Sequence, residues 1–146
     1  MTLIIAEAGV NHNGSAETAL QMVDIAAQCG ADAIKFQTFT ADKLVRAGSE
    51  KAEYQKRQTG GGDQLSMLKA LEMSPELHEK LIARCNKVKI EFMSTPFDED
   101  AALFLRSIGM RRIKISSGEI DNFPLLRFFA GMGLPLIMST ALANHA

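Results

Sequence analysis

RRIKISSGEI, residues 111–120, is the stretch whose reading decides the fold. Side chains on a strand alternate between its two faces, so Ile113 and Ile115 share one face while Lys114 and Ser116 share the other. The run then ends in Ser117, Gly118 and Glu119. An unpaired ammonium inside a protein costs several kcal/mol. Lys114 therefore either has a carboxylate partner or opens onto something that needs a cation. The same pattern recurs in AIKFQT, residues 33–38, where Ile34 and Phe36 oppose Lys35 and Gln37.

Outward from these two strands, strand and helix alternate. Strand one is expected at Leu3–Ala8, followed by the polar loop GVNHNG. Helix one runs from Ser15 to Cys29, with Ser15 or Asn13 as N-cap and Gly30 as stop. Strand two is Ala33–Thr38. Residues 39–64 form a long, charged, glycine-containing excursion with one short helix; KAEYQKR within it reads as a solvated face, or as a loop able to close over a pocket. LSMLKALEM (65–73) is helical. Ser74, Pro75 and Glu76 open a further helix that reaches Val88. Strand three is Ile90–Thr95, Asp98 caps a helix that ends at Gly109, and strand four is Arg112–Ser117. A helix follows near Asn122–Gly131, and strand five is Pro135–Ser139. This alternation predicts a parallel α/β sheet with helices outside it.

Composition bounds the function. The chain has 146 residues, 47% hydrophobic and 23% charged, with net charge −1. That balance suits one globular domain, residues 1–146, and gives no bulk attraction to nucleic acid or an anionic membrane. The start, MTLIIAEAGVNHNG, has neither the basic flank of a signal peptide nor the length of a membrane span. Cys29 and Cys85, each placed in a helix with no CxxC, read as reduced thiols of a cytoplasmic protein.

The two ends of the strands differ in chemistry. Loops from helix to strand are short and bland. Loops from strand to helix carry EAGVNHNG, KFQTFTADK, STPFDED and SSGEIDNFP, and in parallel α/β folds function sits at those carboxyl ends. With the apolar faces of the strands turned to the helices, Lys35 and Lys114 point inward. Together with Thr95, Ser117 and Ser139 they would line a cationic, hydroxyl-rich pocket for a small phosphate- or carboxylate-bearing ligand. A lysine beside a second cation shifts toward its neutral form unless anions compensate. The plainer reading of one inward lysine is a structural ion pair with an inward Glu7. Glu7 and Glu119 read either as loop or capping carboxylates or, facing the pocket, as groups that orient hydroxyls and handle a proton. His12 reads as a solvated loop residue, His78 as exposed on an amphipathic helix, and His145 has no assigned role. The methionines and phenylalanines read as core.

IIAEAGVNHNG, AIKFQTF, FMSTPFDED and KISSGEIDNFPLL, in this order and spacing, resemble the sialic acid synthase family, the phosphoenolpyruvate-dependent synthases of nonulosonic acids. The resemblance covers roughly residues 3–140 and includes the long loop. It implies a (β/α)8 TIM barrel, of which this chain holds about five strands. It also implies condensation of phosphoenolpyruvate with an N-acetylated amino sugar aldehyde such as N-acetylmannosamine. Carried over by motif, Lys35, Thr95, Lys114, Ser117 and Ser139 hold phosphoenolpyruvate. Glu7 and Gln37 lie near the sugar or the reacting carbons, and Glu119 handles water or a proton.

The family uses a divalent metal, manganese or magnesium, whose histidine ligands come from the other half of the barrel, so no metal ligand is assigned here. The second half-barrel and the C-terminal antifreeze-like domain are absent from the residues read. Strand five ends STALANHA where the family has STGM, and Ser116 stands where Gly or Pro is common. Five strands leave two sheet edges open, which implies a homo-oligomer or a partner half-barrel, and little activity for this chain alone. The alternatives are a non-catalytic truncated paralogue that binds an anionic metabolite, and a lyase or aldolase using Lys114 as a Schiff base.

Overall fold

In the computed structural model the described residues are 2–45 and 63–141. The KAEYQKR reading and the ALANHA tail beyond Ala141, with His145, lie outside them. The elements are β1 (Ile5–Gly9), α1 (Ala16–Gln28), β2 (Ala33–Thr38), α2 (Ala41–Leu44), α3 (Gln64–Lys69), α4 (Pro75–Val88), β3 (Glu91–Pro96), α5 (Glu99–Ser107), β4 (Ile113–Ile115), α6 (Phe123–Gly131) and β5 (Leu136–Met138).

Local chemistry sets the helix bounds. Ser15, Asp63, Ser74, Asp98 and Asn122 each accept a hydrogen bond from a backbone N–H in the first turn of the helix they precede. Pro75 occupies the first turn of α4, where its missing N–H is no loss. Strand four is shorter than the sequence predicts. Ser116 turns its Oγ toward the Gly118 N–H (3.4 Å), and Ser117–Glu119 coil into a 3-10 turn instead of extending the strand.

All strand pairs are parallel: β1–β2–β3 form one ladder and β4–β5 a second. β4 runs beside β3, and the Arg112 guanidinium clamps the Glu91 carboxylate with two hydrogen bonds of 2.8 and 2.9 Å where these strands begin. The five strands form an arc of a barrel with helices on its outer side. Ile34, Phe36, Phe92, Ile113 and Ile115 from the strands meet Val23, Leu81, Leu105 and Phe129 from the helices in one apolar layer. Each such large side chain contributes about 1.5–3 kcal/mol of burial. Cys85 lies in this layer, and burial pushes its thiol up to about 12. Both cysteines are free.

The histidines depart from the expectation of solvent exposure. His78 is 1% exposed and His12 0%. The His78 ring meets the edges of Phe92 and Phe104, and its nitrogens contact Ser74 O (2.8 Å) and Thr38 Oγ1 (2.9 Å). His12 Nδ1 accepts the Gly14 N–H at 3.1 Å. For His78 the amphipathic pattern of α4 hid this, because a neutral imidazole with both nitrogens satisfied serves as a core residue.

Gly14 has φ +76°, and a Cβ there would meet Ala70 O at 2.4 Å, so the loop after β1 packs against the end of α3 through bare backbone. Gly14→Ala is expected to destabilise the chain by about 1–3 kcal/mol, read as a fall in the urea midpoint.

Burial lowers the titration of both histidines from the ordinary 6.5, and for His12 the nearby His78 adds to the effect. Below that value the unfolded chain binds protons that the folded chain refuses, so stability declines as pH falls from 6.5 toward the depressed folded values. Urea midpoints at about pH 7.5 and about pH 5.5 should differ, with the acid sample less stable; equal midpoints would contradict the buried, neutral state of the pair.

Candidate functional site

The carboxyl ends of the strands enclose a cavity of about 360 Å³, bounded by Glu7 and Gly9 of β1, Lys35 and Gln37 of β2, Thr95 of β3, Lys114 of β4, the two serines that follow it, and Ser139. Such a volume suits a small metabolite. The alternation seen in the sequence places these groups. Lys35 stands opposite Glu7 on one side and Met93 on the other, with Gln37 opposite Thr95. The odd-numbered residues of β2 therefore face the cavity while Ile34 and Phe36 face the helices.

Lys35 is buried, and its ammonium contacts Glu7 Oε2 at 2.6 Å and donates to Thr95 Oγ1 at 3.3 Å. The Glu7 side chain is 56% exposed, so the pair sits at the wet rim of the cavity and is screened. A bulge between Glu7 and Gly9 leaves Gly9 at φ +55°, and a Cβ there would come within 3.3 Å of Glu7 Oε1. The glycine thus gives the carboxylate room to reach Lys35.

Lys114 is bonded differently. Its Nζ donates to Ile115 O (2.7 Å) and Ser139 Oγ (2.6 Å), both neutral. Burial lowers its titration from the ordinary range, the Lys35 ammonium lowers it further, and Glu7 opposes the shift. Among the described residues the cavity thus holds two ammonium groups and one carboxylate, with the unmatched positive charge on Lys114. An anion seated there would remove the repulsion and restore the lysine's basicity.

Seven of the eight residues singled out in the sequence line this cavity: Glu7, Lys35, Gln37, Thr95, Lys114, Ser117 and Ser139. Glu119 does not. It ends the 3-10 turn, and its carboxylate accepts a hydrogen bond from Asn122 Nδ2 at 2.7 Å. Sequence reasoning missed the cavity-lining roles of Gly9, Asn11 and Phe97. The polar GVNHNG loop was a signal for Asn11; Phe97 carried none, as an aromatic after a strand reads as core.

A divalent ion needs several carboxylate or imidazole ligands together. Among the described residues no three such side chains gather, and the cavity's one carboxylate, Glu7, is bound to Lys35. The described residues do not fit an ion by themselves. A larger cleft of about 630 Å³ lies between α3, α4 and α5. Near it, Lys43 is paired with Asp98 and Asp100, and the cleft contains neither inward lysine.

Known proteins resemble this chain in sequence and fold. The chain is 54% identical over 142 residues to an N,N'-diacetyllegionaminic acid synthase of Legionella pneumophila, covering 97% of this chain and 40% of that protein. The solved structure of an N-acetylneuraminic acid synthetase from Leptospira borgpetersenii, in complex with citrate, superimposes with a TM-score of 0.80 at 34% identity, over 97% of this chain and 45% of that one. The Bacillus subtilis spore coat polysaccharide biosynthesis protein SpsE superimposes with a TM-score of 0.76 at 37% identity, over 97% of this chain and 37% of that one. The chain thus spans about two fifths of the length of the relatives it matches. The model of the NeuB family matches residues 22–146, and with the partial barrel and its strand-end cavity this shows that the chain belongs to the NeuB family.

Proposed function

We propose that this chain forms the phosphoenolpyruvate-binding part of a nonulosonic acid synthase, which condenses phosphoenolpyruvate with an N-acetylated amino sugar aldehyde. One observation carries the reading: two lysines from different strands face one cavity, and among the described residues only one is neutralised by a carboxylate. The family and the named synthases among its relatives support the reaction class.

In this reading phosphate or carboxylate of phosphoenolpyruvate takes the unmatched charge of Lys114, with Ser117 and Ser139 donating hydroxyls and Lys35 and Thr95 completing the cradle. Glu7, paired with Lys35, and Gln37, opposite Thr95, border this cradle, where sugar hydroxyls and the reacting carbons would sit. Carbon 3 of phosphoenolpyruvate attacks the aldehyde carbon, water adds at carbon 2, and the bond from carbon 2 to the phosphate oxygen breaks. Cations over the departing phosphate stabilise the charge it carries away. Glu119, turned toward Asn122, has the least geometric support as the proton- or water-handling group. Leu136 and Met138 on β5 are exposed, and that open end of the sheet is where further strands or a second copy would pair.

Binding without turnover needs only this cavity, and that is the activity expected of the chain alone. Phosphate release from phosphoenolpyruvate and N-acetylmannosamine with manganese should stay at background; turnover at the rate of a full-length relative would refute this. Phosphoenolpyruvate at about 100 times its Kd should stabilise the folded chain by about 2.7 kcal/mol, and Lys114→Met should abolish that gain. The same substitution removes the Nζ hydrogen bonds to Ile115 O and Ser139 Oγ, so the ligand-free variant's own midpoint is the reference against which its ligand-induced shift is read. A variant that keeps the ligand-induced shift would remove Lys114 from the cradle and sink the proposal.

A further inference from the structure

The helix-facing side of the sheet carries a polar chain directly behind the cavity. His78 Nδ1 lies 2.8 Å from Ser74 O, a carbonyl that only accepts, so Nδ1 holds the proton. In the neutral ring Nε2 is then an acceptor, and the Thr38 hydroxyl at 2.9 Å must donate to it. Thr38 Oγ1 has spent its proton, so the Ser94 hydroxyl at 2.7 Å donates to Thr38. One carbonyl thus orders three side chains on α4, β2 and β3. Ser94 and Thr38 are buried, as is His78. An error anywhere along the chain leaves a polar atom unsatisfied in the core.

The position of this chain in the sheet gives it a purpose. Thr38 and Ser94 follow and precede Gln37 and Thr95, which are opposite each other in the β2–β3 register and line the cavity. The register ends with Thr38 opposite Pro96. Past that point the backbone link is Phe97 N to Thr38 O, at 3.3 Å. The Thr38–Ser94 bond ties the two strand ends together beside that last link.

We propose that His78 is a positioning residue which, through Thr38 and Ser94, sets the placement of Gln37, Thr95 and the Thr95-bound Lys35 ammonium. It touches neither ligand nor reacting atoms. The inference rests on the cavity assignment above for its effect on ligand, but the positioning can be read without any ligand.

The test is NMR on the full chain with Thr38→Val and Thr38→Ser. In the parent, the long-range imidazole nitrogen pattern of His78 should report the Nδ1–H tautomer. Thr38→Val should alter that pattern and shift the Gln37 side-chain amide and the Thr95 methyl; Thr38→Ser should restore all three. Phosphate titration should then show about fivefold weaker binding for Thr38→Val, the scale of one net hydrogen bond, and near-parent binding for Thr38→Ser. Gln37 and Thr95 signals that stay in place while the His78 pattern changes would overturn the positioning role, as would an Nε2–H tautomer in the parent. A parent that binds no phosphate, with the ligand-free shifts as expected, would refute the cavity assignment and leave the positioning role standing.

Discussion

The contact between Lys35 and Glu7 is the interaction on which the site depends. A parallel sheet closing on itself brings the inner faces of its strands together, and here two of those faces carry ammonium groups. Without a carboxylate, two cations would face each other across a small cavity with only hydroxyl and carbonyl oxygens between them. Glu7 matches one of them, and the cavity retains a single surplus positive charge. That surplus is a modest cost to the fold, and in the proposed function it is the charge that an anionic ligand would neutralise. The bulge at Gly9 serves the same requirement, since the Glu7 carboxylate that reaches Lys35 lies against Gly9, two residues on in its own strand.

The second constraint lies on the opposite face of the same strands. Between sheet and helices a core of this size is normally apolar, yet His12, His78, Thr38 and Ser94 are buried there. His78, Thr38 and Ser94 satisfy one another in a fixed order, which makes the arrangement directional in a way that apolar packing is not. His12 holds the Gly14 N–H with Nδ1, while its Nε2 has no hydrogen-bond partner among the described residues. Both faces of β2 are thus committed: Lys35 and Gln37 to the cavity, Phe36 and Thr38 to the layer behind it.

Much of this was legible in the residues. The caps Ser15, Ser74 and Asp98 act locally, through hydrogen bonds that span three residues, so the helix starts followed directly from the chain. β2 matched its expected span because its alternation is unbroken from Ala33 to Thr38. Strand four did not, because the Ser116 side chain competes for the backbone and turns the chain early. The inward lysines were readable for the same reason as β2: a period of two assigns faces without knowledge of neighbours. Glu119 lay beyond the strand, where that period no longer holds, and its carboxylate went to Asn122 instead of the cavity.

By itself, then, the order of residues determined which elements form, which faces of the strands are polar, and which motifs tie the chain to its family. Those properties depend on spacing and on contacts within a few residues. Only the tertiary structure decided which lysine Glu7 neutralises, which carboxylate reaches the cavity, and that His12 and His78 are interior. Each of these is settled by groups tens of residues apart meeting within hydrogen-bonding distance, and a one-dimensional pattern carries no distance between such groups.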